Sequence, residues 1–283
     1  MENNSLNVPQ KIVEDNIKVA VGKVNMPLGK MLLLGIFAGI FIACGASASS
    51  VAMHAMDNVG LQRLVGGCIF PVGLMMIVFI GGELFTGDCL MIMGAMNKKF
   101  SALSIVRVLA VVFLSNFVGS VFMAFMVYLS GQLNYTGGLL GAFTIKIALG
   151  KSTMDFGTAF VSGILCNIFV CAAVLMAAAA KDIAGKVLAI FFPIMAFVVS
   201  GYEHCVANMY YIPAGIFAMG NEAYVEKAMS EYGYTAEQLA ELNWMNFFVT
   251  NEIPVTLGNI VGGMVCVGVI LFMIHAKALK EQA

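Results

Sequence analysis

The sequence predicts an all-α membrane protein of six transmembrane helices, an inverted 3+3 repeat with helices two and five broken. Composition is the first reason. Of 283 residues, 60% are hydrophobic and 11% charged, against roughly 25% charged in soluble domains. Mean hydropathy is +0.92. So few charges could not cover a soluble domain of this size, and so apolar a chain is not disordered. A net charge of −1 leaves no basic excess for nucleic acid. The second reason is six apolar runs, near 31–53, 66–96, 105–130, 158–180, 187–219 and 253–274. A bilayer core of ~30 Å needs ~20 residues per helix. The second and fifth runs are longer than that and are interrupted near their middles by glycine and ionisable residues. The third reason is an echo between the two halves of the chain.

Residues 1–30 form a separate N-terminal segment without the apolar stretch of a signal peptide. After Pro9, Val13, Ile17, Ala20 and Val21 share one helical face, while Lys11, Glu14, Asp15 and Lys18 lie elsewhere. That pattern predicts an amphipathic helix at the membrane surface. Residues 31–274 form one transmembrane domain, with repeat one at 31–130 and repeat two at 158–274, and 275–283 form a tail.

Orientation follows from the basic residues. Lys11, Lys18, Lys23, Lys30, Lys98, Lys99, Arg107, Lys181, Lys186, Lys277 and Lys280 collect on one side; Arg63, Lys146, Lys151 and Lys227 collect on the other. The richer side is cytoplasmic. Both termini are expected there, in a multi-pass protein of the inner or plasma membrane. The acidic 220–245 segment, with Glu222, Glu226, Glu231, Glu237 and Glu241, would face outward as a solvated loop with a short helix.

The echo has three parts in the same order. Gly35-Ile36-Phe37-Ala38-Gly39-Ile40 in span one matches Gly163-Ile164-Leu165-Cys166-Asn167-Ile168 in span four. Glu83 and Asp88 in span two are spaced like Glu203 and Asn208 in span five. Asn116-Phe117-Val118-Gly119-Ser120 matches Asn259-Ile260-Val261-Gly262-Gly263. Each half has three spans, so the second enters the membrane inverted. That is a transporter and channel architecture, with sites where broken helices meet.

The breaks read Gly81-Gly82-Glu83-Leu84-Phe85-Thr86-Gly87-Asp88 and Ser200-Gly201-Tyr202-Glu203-His204-Cys205-Val206-Ala207-Asn208. A charge at the bilayer centre costs at least ~3 kcal/mol by insertion scales, so these groups need partners. The half-helix after each break points its positive end inward, which favours an anion. Glu83 and Glu203 read first as acceptors for loop amides, because an unpaired carboxylate would repel an anion. Asp88, Asn116, Asn167, Asn208 and Asn259 read as interhelical hydrogen-bond partners. His204 is a candidate pore residue able to donate a hydrogen bond or proton, and Thr86 offers a hydroxyl opposite it. Leu84 and Phe85 form a constriction or pack against lipid. Lys151 is either a snorkelling lysine or a cation that gathers anions and steadies the carboxylates, with Lys146 as its competitor.

Cys44, Cys68, Cys89, Cys166, Cys171, Cys205 and Cys266 form no C-x-x-C pair and read as small core residues. His54 and His275 look interfacial. No metal and no cofactor is expected.

Taken together, Glu83-Leu84-Phe85-Thr86-Gly87, Gly163-Ile164-Leu165-Cys166-Asn167, Glu203-His204-Cys205-Val206-Ala207-Asn208-Met209 with Ile212-Pro213, and Gly258-Asn259-Ile260-Val261-Gly262-Gly263 resemble the formate/nitrite transporter family over nearly the whole chain. The resemblance implies a homopentamer whose protomers each hold an aquaporin-like pore. It places Thr86 and His204 at the pore centre, and Lys151 as a buried lysine amid Asn167, Glu203, Asn208 and Asn259. Leu84, Phe85 and Phe197 fall at its apolar constrictions. The N-terminal helix would lie at the cytoplasmic pore mouth, where gating by pH has been proposed for the family.

The expected function is passage of a small monovalent weak-acid anion (formate, hydrosulfide or nitrite), assisted by protonation within the apolar barrier, and not catalysis. Cys205, where many formate members carry a small hydroxyl residue, leans toward hydrosulfide. An aquaporin-type channel for neutral solutes is the alternative, although paired Asn-Pro-Ala motifs are absent. A membrane redox enzyme would need haem histidines, a cysteine cluster or a dinucleotide motif.

Overall fold

The computed structural model describes residues 6–281, with side chains as far as His275. The side chains of Lys277 and Lys280, two of the basic residues expected on the cytoplasmic side, and the last two tail residues lie outside the described residues. Ten of the helices position the site. They are α1 (Pro9–Val24), α2 (Leu28–Met53), α3 (Val59–Ile80), α4 (Phe85–Met96), α5 (Ala102–Leu129), α6 (Leu139–Ser152), α7 (Phe156–Ala179), α8 (Ile183–Ser200), α9 (Cys205–Ala218) and α10 (Trp244–His275). Six of them, α2, α3, α5, α7, α8 and α10, are long and apolar enough to cross a membrane. Both expected breaks are present: α3 and α4 are separated at 81–84, and α8 and α9 at 201–204.

Two boundaries differ from the sequence expectation. Span two starts at Val59 rather than near 66, and span six at Trp244 rather than near 253. Polar residues at these helix ends, Gln62 and Arg63 in one and Asn246, Asn251 and Glu252 in the other, dilute the apolar signal. They remain helical because Asn58 and Asn243 cap the starts. Span six is also irregular, with widened π-helical turns at Phe247–Glu252 and Val261–Val269. Pro254 accounts for the first: it lacks an N–H and its ring clashes with the preceding turn.

Helix α1 forms as expected, with Val13, Ile17 and Ala20 on its buried face. It docks on the protein itself, against Leu90, Met93, Cys171 and Leu175. Helix α6 was not expected from sequence. Fourteen residues interrupted by Thr144, Lys146 and Lys151 are too short and too polar to span, yet most of the helix is buried. It precedes span four as α1 precedes span one. The acidic segment is more ordered than a solvated loop, with helices at Glu222–Tyr232 and Ala236–Ala240. Tyr224 is buried against Gly141 of α6 and Gly138 just before it, and donates to Asn134 Oδ1 at 2.7 Å.

Glycines bring the paired spans of each half together. A methyl on Gly119 of α5 would collide with the Ile36 carbonyl of α2, and one on Gly262 of α10 with the Ile164 carbonyl of α7. Small residues permit such close approach in membranes, where packing rather than water drives association. The echoed segments are therefore the contact strips of two structurally equivalent, inverted halves.

Candidate functional site

The backbone at the breaks is held by two asparagines. Asn116 Nδ2 donates to the carbonyls of Gly35 (2.8 Å) and Glu83 (2.9 Å), and its Oδ1 accepts from the Phe85 N–H at 3.0 Å. Asn259 Nδ2 donates to the carbonyls of Gly163 (2.8 Å) and Glu203 (3.0 Å), and its Oδ1 accepts from the Cys205 N–H at 3.0 Å. Unpaired backbone groups are costly in a bilayer, and these contacts provide each extended segment with partners. Gly81 at φ 110° and Gly201 at φ 75° supply backbone angles that other residues rarely adopt.

The sequence reading gave the loop-amide role to Glu83 and Glu203; the structure gives it to Asn116 and Asn259. The glutamates instead pair with lysines. Lys23 Nζ reaches Glu83 Oε2 at 2.6 Å and also pairs with Asp88. Asp88 is thus an ion-pair partner before it is an interhelical hydrogen-bond partner. On the other face of the protein, Lys151 Nζ pairs with Glu203 Oε1 at 2.7 Å. Asn208 Nδ2 donates to Glu203 Oε2 (2.7 Å) and to Asn251 Oδ1 (2.8 Å), and Asn251 Nδ2 donates to the Lys151 carbonyl at 3.0 Å. Of the residues expected around Lys151, Glu203 and Asn208 are there. Asn167 and Asn259 serve the break backbones instead: Asn167 Nδ2 donates to the carbonyls of Thr86 (3.2 Å) and Asn259 (2.6 Å). Lys146 stands apart, over the Tyr232 ring at 4.4 Å.

Between the charged clusters the breaks meet. Thr86 Oγ1 lies 2.9 Å from His204 Nε2, and both residues are buried. His204 caps α9: its Nδ1 accepts the Ala207 N–H at 3.0 Å. In a neutral imidazole only one nitrogen carries hydrogen, so the proton sits on Nε2 and is donated to Thr86 Oγ1. The Thr86 hydroxyl hydrogen is left free to point elsewhere. Phe197 stacks beside His204 with ring centroids 6.1 Å apart, and Phe70 meets Phe197 edge-on at 5.7 Å. Leu84 and Phe85 are buried next to Thr86, with Phe85 edge-on to Phe113 at 5.2 Å. An apolar sleeve thus surrounds one polar pair.

A cavity of about 560 Å³ opens below the first break on the α1 side, lined by Lys23, Lys30, Leu34, Gly82, Glu83, Leu84 and Asp88 among others. Burial opposes the charge on Lys23, but Asp88 and Glu83 more than offset it and hold the ammonium well above its ordinary range. Sequence reasoning missed Lys23 and Asn251. Lys23 had a signal: it stands twelve residues before Gly35, as Lys151 stands twelve before Gly163.

The description "formate/nitrite transporter" belongs to the family model that matches residues 10–273. A probable formate transporter of Methanothermobacter thermautotrophicus is 38% identical over 277 residues, covering 92% of this chain and 93% of the relative. A formate channel, FocA, of Haemophilus influenzae is 39% identical over 237 residues, 83% of each chain. Among solved structures, a pentameric formate channel with formate bound aligns at TM-score 0.76 and 36% identity, over 88% of this chain and 98% of that one. An FNT family ion channel aligns at TM-score 0.77 and 27% identity, over 93% and 98%.

Proposed function

This chain belongs to the formate/nitrite transporter family, and we propose that it conducts small monovalent weak-acid anions through a pore centred on Thr86 and His204. Formate is the first candidate substrate, because the relatives are named for it and a solved neighbour holds it. Hydrosulfide and nitrite have the same charge and comparable size. The observation that carries the reading is the Thr86–His204 hydrogen bond at the junction of the breaks, with one lysine paired to carboxylate on either side.

Lys23 offsets the carboxylates of Glu83 and Asp88 at one mouth and Lys151 that of Glu203 at the other, which lowers the repulsion an anion meets there. The sleeve of Leu84, Phe85 and Phe197 then offers no counter-charge, and a bare anion in such surroundings is costly. Protonation yields a neutral acid that passes more easily. The proton does not come from neutral His204, since losing the Nε2 hydrogen would leave an imidazolate. His204 instead orients the Thr86 hydroxyl, whose hydrogen is donated to the substrate oxygen or sulfur. The proton arrives with the substrate from the mouths.

The remaining assignments follow the family. Protomers assemble as a homopentamer, as in the solved formate channel, in the plasma or inner membrane with both termini cytoplasmic. The α1 side is then cytoplasmic and the α6 side outer. Residues 31–274 form the channel domain, with repeats at 31–130 and 158–274. Transport, not catalysis, is the activity. Flux of formate, nitrite and hydrosulfide into proteoliposomes tests the reading. Saturable acid flux that His204→Phe abolishes supports it; fast water swelling with no acid flux would contradict it and favour the neutral-solute channel.

A further inference from the structure

Glu252 has no part in the mechanism above. It lies in the widened turn at the start of α10, and 3% of its surface is exposed. Its Oε1 accepts one hydrogen bond, from Thr256 Oγ1 at 3.4 Å, and its Oε2 has no partner among the described residues. Among the described residues no cation is paired with it: the lysine of this region, Lys151, is taken by Glu203. The titratable groups that act on Glu252 are Glu203 from the second break, Lys151 from α6 and Cys205 from α9. Glu203 and Lys151 are already committed to each other, and Glu203 repels it. An ionised carboxylate buried this way lacks the partners that buried charge requires. A protonated carboxyl instead carries an O–H donor. Asn208 Oδ1, in the Glu203–Asn251 network beside it in sequence, is likewise an acceptor without a donor among the described residues.

We propose that Glu252 is a proton-binding site serving the Lys151 side of the pore, distinct from the Thr86–His204 centre. The inference rests on the anion-channel reading. With Glu252 protonated, Lys151 and Glu203 cancel and the mouth does not repel a monovalent anion. With Glu252 ionised, the same cluster carries one net negative charge and repels it. The bound proton leaves to water at the mouth and returns from it, so no other reactant is needed. Uptake from this side is therefore proton-dependent beyond the simple abundance of neutral acid.

Two measurements test this. Infrared spectra of the full-length wild-type protein should show a protonated-carboxyl stretch at neutral pH that fades at alkaline pH and is missing in Glu252→Gln. Formate uptake into proteoliposomes should fall several-fold more steeply with rising pH in wild type than in Glu252→Gln, which keeps the cluster neutral. Thr256→Val, which removes the hydrogen bond to Oε1, should shift the fade of the band. A wild-type spectrum without the band, a band retained in Glu252→Gln, or matching pH profiles with flux intact would overturn the proposal. Absence of acid flux in wild type would instead overturn the channel reading, while the infrared result would still stand by itself.

Discussion

Asn116 and Asn259 make the same three hydrogen bonds in opposite halves of the chain, each joining a glycine carbonyl, a glutamate carbonyl and the amide that opens a half-helix. Two inverted halves arriving at one solution mark the breaks as built features. The extended residues 81–84 and 201–204 keep their shape through side-chain partners that a regular helix would not need.

Replacing either asparagine should therefore cost stability about equally. Asn116→Leu or Asn259→Leu leaves one buried N–H and one break carbonyl without a partner, since the glycine carbonyl keeps its helical bond, and each orphan costs about 1–3 kcal/mol. Thermal unfolding in detergent should show a comparable drop for the two variants. A large drop for one and none for the other would contradict the equivalence of the halves.

Glycine contacts predict a sharp contrast. Gly119→Ala and Gly262→Ala force a methyl into the Ile36 and Ile164 carbonyls, whereas a methyl on Gly22 of α1 meets nothing within 4 Å. The first two should lower folded yield on size-exclusion chromatography. Gly22→Ala should be neutral or stabilise α1 by up to about 1 kcal/mol.

Lys23 ties the N-terminal helix to the first break, so Lys23→Met should be more damaging than its sequence position suggests. It strands Glu83 and Asp88 without their cation, a loss of about 3–5 kcal/mol for a buried pair. Adding Glu83→Gln and Asp88→Asn should recover much of it. The Lys23 value is raised in the folded state above its ordinary 10.5. Its contribution is thus complete below about pH 10 and is lost only as pH climbs through the folded value. Melting curves of wild type against the triple variant should keep a constant offset through the mildly alkaline range and change in acid, as Glu83 and Asp88 take up protons and the pairs with Lys23 are lost.

The hydrogen-bond order at the centre gives a further expectation. Thr86→Val removes the hydroxyl that His204 orients and should cut acid flux at least tenfold, while Thr86→Ser should retain most of it. His204→Asn keeps an oxygen able to cap α9 and should fold better than His204→Phe. Liposome flux and melting temperature together separate the two roles of the histidine.

Much of this was legible in the sequence for physical reasons. Apolar runs reveal spans because hydrocarbon demands length, and glycine beside a carboxylate reveals a break because lipid tolerates neither without compensation. Thr86, His204, Lys151, Glu203 and Asn208 stood out because polar groups are rare in such a chain. Lys23 was hidden among basic residues that only fix orientation, and its partners lie sixty residues or more away. Helix α6 was hidden because a short, buried, partly polar helix has the composition of a loop. Asn167 and Asn259 were assigned to the lysine rather than to the backbone, because residue type alone does not say which neighbour an amide will choose.

The most direct test of the central claim is formate flux into proteoliposomes as a function of pH, in wild type and His204→Phe. A channel centred on Thr86 and His204 predicts wild-type flux that rises as pH falls, with little flux in the variant at any pH. Equal flux and equal pH dependence in both proteins would contradict it.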